Sequence, residues 1–161
     1  MGEQSMYKAF KSDQSIKDLK FEKCPFFHEI YKVDGSQESM TDTLSALETK
    51  LIEFGMEESS ANNFKFSIYE AIQNAQQHGY DKTGESVIVT ALFSKPRYMV
   101  SVVSRGDVPL DFAIIEDQIK DQDFLKFQNG KRGFKAMFKI CDQLIVGIDN
   151  NYTDVLLEKI N

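Results

Sequence analysis

The chain has 161 residues, 42% hydrophobic and 27% charged, with a formal net charge of −6, which is the composition of one soluble globular domain rather than of a disordered or basic nucleic-acid-binding chain. Its two cysteines, Cys24 and Cys141, form no Cys-x-x-Cys spacing and its two histidines cannot make a His-rich site, so neither a disulfide framework nor a zinc centre is indicated. No apolar run approaches the roughly 18 residues of a membrane span and the N-terminus lacks an apolar signal core, so the expected location is the cytoplasm, with no membrane partner.

Residues 1–25 are polar and mixed in charge, with Tyr7, Phe10, Ile16, Leu19 and Phe21 scattered among them, and are expected to be an N-terminal extension, either a short docking element or a loose tail. Phe26 to Val33 is rich in aromatic and β-branched residues and stops at Asp34-Gly35, which predicts a strand and a turn. Ser36 to Glu38 open a helix whose apolar positions Leu44, Leu47, Leu51, Ile52 and Phe54 fall mostly at helical spacing before Gly55. It has the size of a dimer-forming or partner-binding element, although its apolar face also suits a core. A second helix, capped near Ser59 or Ser60, runs through Phe64, Ile68, Ile72 and Ala75 to His78-Gly79.

The period then changes. Glu85 to Phe93 and Tyr98 to Val103 are β-rich around the turn Ser94-Lys-Pro-Arg97, predicting a hairpin. Ser104 to Pro109 is a turn-forming loop, Asp111 to Gln128 a short helix and connection, and Gly130-Lys-Arg-Gly133 opens another helix through Phe134, Met137, Phe138 and Cys141. Gln143–Ile148 and Val155–Ile160 form a last hairpin around Asn150-Asn151. Strands arriving as hairpins favour an α+β two-layer sandwich, a mostly antiparallel sheet with helices on one face, spanning residues 26–161.

Within the second helix Glu70, Asn74 and His78 stand at four-residue steps, which puts a carboxylate, an amide and an imidazole on one helix face. A carboxylate can accept a proton from a hydroxyl, and an amide oxygen one turn away is a hard ligand suited to Mg²⁺ held mainly by phosphates. Gly130-Lys131-Arg132-Gly133 adds a helix entrance at which backbone N–H groups, the helix dipole and two cations all favour phosphate.

The order Glu70-x-x-x-Asn74-Ala75-x-x-His78-Gly-Tyr, a strand ending in a glycine loop, then Gly130-x-x-Gly133 with Asp142 nine residues on, resembles the ATPase fold shared by gyrase, histidine kinases and mismatch-repair proteins. Within that group it is most similar to the bacterial anti-sigma factors that are serine-protein kinases. The resemblance implies ATP and Mg²⁺ as cofactors, with Asn74 as the metal ligand and Glu70 as the catalytic base for the attacked hydroxyl. It further implies Gly106 beneath the adenine, Thr153 holding the base from a late strand, and Gly130 and Gly133 facing the phosphates. Lys131, Arg132 and Phe134 join that phosphate-side set, residues 111–129 would be the lid, and His78 would cap the helix or pack near its end rather than react. The implied partners are a sigma factor, an antagonist protein and a second copy of the chain. Where the family has an aspartate for the adenine amine, this sequence has Ser104, which is shorter and neutral. Two functions follow: an ATP-dependent serine/threonine kinase and anti-sigma factor, or a non-catalytic module that keeps the fold to bind proteins.

Overall fold

A computed structural model of the protein describes residues 6–12, 26–78, 87–105, 112–120, 133–149 and 152–161. In chain order the elements are β1 (Met6–Lys11), β2 (Phe27–Val33), α1 (Gln37–Glu53), α2 (Glu58–His78), β3 (Val87–Ser94), β4 (Arg97–Arg105), α3 (Phe112–Lys120), α4 (Gly133–Ile140), β5 (Gln143–Asp149) and β6 (Tyr152–Ile160). The strands make one six-stranded sheet of order β1-β5-β6-β4-β3-β2, with every neighbouring pair antiparallel. The α+β two-layer class expected from the sequence is the one observed.

Alternation writes the two faces of the sheet. In β3 and β4 every second residue is buried, and the register sets Val89 opposite Val102, Ala91 opposite Val100 and Phe93 opposite Tyr98. That face meets Leu47 and Leu51 of α1, Phe64, Ile68 and Ile72 of α2, and Met137 of α4 in one hydrophobic cluster. Burial on this scale, about 1.5–3 kcal/mol for each large side chain, is what holds the helices to the sheet.

Local signals place the helix ends. The Ser36 hydroxyl accepts the Ser39 N–H at 3.1 Å as the N-cap of α1. At the other end Gly55 takes φ +101°, while its N–H donates to the Ile52 carbonyl at 3.1 Å and the Met56 N–H to the Leu51 carbonyl at 2.9 Å. This is a Schellman stop, closed by the buried pair Leu51 and Met56. The start of α2 differs from the expectation. The helix begins at Glu58, so Ser59 and Ser60 lie inside its first turn, and the Glu57 carbonyl accepts the Ala61 N–H at 2.8 Å. Ser60 instead accepts a hydrogen bond from the Asn161 carboxamide at 3.1 Å, which ties the start of α2 to the end of β6.

Two segments outside the expected sheet-and-helix pairs take definite places. Residues 6–11, within the stretch expected to be a docking element or a tail, form the edge strand β1 on β5. Their partner strand lies more than 130 positions away, and short lysine-bearing edge strands give weak pattern signals. Residues 112–120, inside the segment expected to act as lid, form a helix whose Ile115 is buried in the main core.

On the face of the sheet away from the helices, Glu158 is fully buried and receives two hydrogen bonds from Arg97, at 2.5 and 3.0 Å. Removing one partner strands a desolvated charge, whereas removing both does not. Arg97→Met is therefore expected to lower unfolding free energy by about 3–5 kcal/mol, and the double change Arg97→Met with Glu158→Met to recover most of that loss, as measured by urea denaturation.

Candidate functional site

The direction of α2 decides what lies near what. Asn161, just beyond β6, holds the beginning of α2 through Glu57 and Ser60, while near the other end the Gln76 amide donates to the Asp34 carbonyl at 3.0 Å, just past β2. The last turns of α2 therefore sit over the end of the sheet where β4 finishes and β6 begins. Glu70 and Asn74 are carried there. Their four-residue step keeps both on one side of the helix, as expected.

At this end of the sheet Ser104 and Thr153 are direct cross-strand partners on β4 and β6, and Ile148 of β5 is the next residue along the same row. Ser104 is buried, and it continues the inward-facing series Tyr98, Val100 and Val102. The register thus puts side by side two residues that lie 49 positions apart in the chain and share an implied role in holding the base.

Gly133 opens α4, and the Asn74 carboxamide lies directly against it. A Cβ at position 133 would stand 2.6 Å from Asn74 Nδ2 and 3.2 Å from Oδ1. Asn74 is itself buried, so the amide has little room to retreat. The first turn of α4 and the Asn74 carboxamide of α2 therefore meet at one point. Phe134 follows Gly133 into the core.

Glu70 is partly buried, and desolvation raises its pKa above the usual carboxylate value. A carboxyl tuned upward in this way is better matched to proton exchange near neutrality than a solvated one. Cys141 offers no competing nucleophile. Its thiol is pushed up to about 11, chiefly by burial, and sits 3.6 Å from the Ser67 hydroxyl.

The structure does not bring every expected residue together. Asp142, part of the sequence pattern, lies past the far end of α4, where its carboxylate accepts the Ile160 N–H at 2.7 Å and pairs with Lys159 at 3.6 Å. Its work there is to close the β5–β6 end of the sheet. Gly106, Gly130, Lys131, Arg132 and the side chain of His78 lie outside the described residues. Gln76, which anchors the end of α2, was not singled out from the sequence because its acceptor is a backbone carbonyl 42 positions away. A separate surface cleft lies between α1 and α2, lined by Leu44, Asn62, Asn63, Lys65, Phe66 and Tyr69, with the two aromatic rings stacked at 6.3 Å.

Among the described residues no group of three or more His, Cys, Asp or Glu side chains is arranged to hold a metal, and no helix is long and apolar enough to cross a membrane. Mg²⁺ sites that use substrate phosphates need only one or two protein ligands, which is the kind of contribution one buried carboxamide can make.

The chain matches no family model and no curated protein. Among solved structures it is similar to the RsbU and RsbW domains of a Mycobacterium tuberculosis protein, with a TM-score of 0.59 and 17% identity over 85% of this chain. The likeness is one of fold. The chain spans 32% of that neighbour, about a third of its length.

Two outcomes are expected. Gly133→Ala should drive a methyl into the Asn74 amide and cost about 1–3 kcal/mol of stability, read from the shift in urea midpoint. For Glu70, a folded pKa above the unfolded value means that the native state holds the proton more tightly, so stability falls as pH rises from the ordinary value near 4.5 through the raised one. Glu70→Gln removes this loss. Its melting temperature relative to the wild type should be higher at pH 7 than at pH 4, and an unchanged difference would contradict the assigned burial.

Proposed function

We propose that the protein binds Mg·ATP at the end of the sheet beneath α2 and uses it as a serine-protein kinase within an anti-sigma-factor-like regulatory system. The observation that carries the reading is the contact of the Asn74 carboxamide with Gly133, which sets a side chain able to offer an amide oxygen to a metal at the first turn of α4. The sequence resemblance and the shared fold with the RsbU- and RsbW-domain structure support it. In this reading ATP supplies the phosphoryl group, Asn74 is the protein ligand to Mg²⁺, and Glu70 accepts the proton of the attacked serine hydroxyl. Ser104 and Thr153 hold the base, with Gly106 beneath it. Gly130, Lys131, Arg132, Gly133 and Phe134 form the phosphate side. A sigma factor and an antagonist protein would be the partners, with the chain acting in the cytoplasm as a homodimer.

A specific observation favours a second reading, a non-catalytic protein-binding module. Ser104 is buried and neutral where the resembled family has a carboxylate. The cleft with the stacked Phe66 and Tyr69 offers that reading a surface away from the nucleotide site.

Calorimetric titration separates the two. Asn74→Ala should abolish Mg²⁺-dependent ATP affinity, whereas Glu70→Ala should bind and fail to transfer phosphate; wild-type behaviour in both variants would reject the kinase. Ser104→Asp should tighten ATP binding by about 1–3 kcal/mol, roughly tenfold to a hundredfold, as the base amine gains a charged acceptor. No gain in affinity together with a lower melting temperature would mean that the change only buries a charge, and would leave the binding module standing.

A further inference from the structure

The N-terminal strand does more than extend the sheet. Its pairing with β5 slips by one residue between Ala9 and Lys11, so that Ala9 stands opposite Ile145 and Lys11 opposite Leu144. Such a bulge re-aims side chains, because the residue it inserts breaks the strict alternation of faces. Here the consequence is that Phe10 and Lys11, adjacent in sequence, both turn toward the helical layer.

Each meets a different helix. The Phe10 ring packs edge-on against Phe112 at the start of α3, with centroids 6.0 Å apart and planes at 63°. Lys11 donates to the Phe138 carbonyl at 2.9 Å, and its ammonium lies 5.4 Å from the centre of the Phe138 ring, so it holds the last turn of α4, the end away from Gly133. One residue pair earlier, Lys8 forms an ion pair with Glu116 in the middle of α3. On the opposite face the Tyr7 ring lies against Gly147 of β5, where a Cβ would come within 2.3 Å of it, so the strand is gripped from both sides. Three side chains from four consecutive positions thus tie β1 to α3 and α4, which pack on each other.

We propose that β1 is a brace that sets the position of α3 and, from its last turn, of α4, so that docking of the N-terminal strand controls, through these two helices, the order of Gly133 against Asn74. Phe10, Lys8 and Lys11 are positioning residues. The link to nucleotide binding rests on the function proposed above; the brace itself does not.

Hydrogen exchange of the full chain without nucleotide, followed by mass spectrometry, tests it. Phe10→Ala should speed exchange across residues 112–120 and 133–136 by at least about fivefold, given the usual worth of an aromatic pair and its buried area, while β3 and β4 keep their protection. Lys8→Glu, at a half-buried position, should speed exchange in 112–120 by about two- to fivefold. The swap Lys8→Glu with Glu116→Lys should restore it. If Phe10→Ala does not fold, the lysine series carries the test alone, with residues 133–136 read in the same samples.

Unchanged exchange in α3 overturns the brace. Faster exchange in α3 with an unchanged α4 entrance overturns the control of Gly133, and uniform loss of protection through the sheet overturns both by showing a general loss of stability. A wild-type chain that fails to bind Mg·ATP would sink the kinase reading and leave these results intact.

Discussion

The approach of α4 to α2 exists because residue 133 has no side chain. With Asn74 buried and its amide at the place a Cβ would occupy, the two helices can sit this close only over glycine. The rest of the site depends on that distance. It brings the first-turn N–H groups of α4 to the polar stripe of α2 and fixes which end of the sheet lies beneath them. A longer side chain would push α4 outward, and with it α3.

The polar residues of α2 are affordable because the helix is anchored at both ends. Asn161 at one end and the Asp34 carbonyl at the other hold its rotation, while Phe64, Ile68 and Ile72 supply the burial. Rotation fixed in this way lets Asn74 be buried and Glu70 partly desolvated without either seeking water. Desolvation of Glu70 costs folding free energy at neutral pH and returns a carboxyl with raised proton affinity.

The edge strand shows how one irregularity can connect distant parts of a fold. A perfectly alternating β1 would send Phe10 and Lys11 to opposite faces of the sheet. The single-residue slip sends both to the helices, and with them a hydrogen bond to α4 and a ring contact to α3. The residues between these helices and the site therefore answer to a segment that precedes the rest of the sheet in the chain.

Much was legible in the chain itself. Helical spacing at Leu44, Leu47 and Leu51, the Ser36 cap, the Gly55 stop and the alternation in β3 and β4 depend on neighbours within a few residues, which is why they could be read locally. The shared face of Glu70 and Asn74 is of the same kind, since a four-residue step determines it in any helix. What only the tertiary structure decided involves partners far apart in sequence: the pairing of β1 with β5, Ser104 opposite Thr153, Asn74 against Gly133, and Asp142 turned to closing the sheet. Ser59 and Ser60 carry cap-type side chains but lie inside the first turn of α2, whose start is held by Asn161, a residue more than 100 positions away. Local patterns follow from backbone geometry within one element, whereas these contacts follow from how the buried faces of several elements fit together.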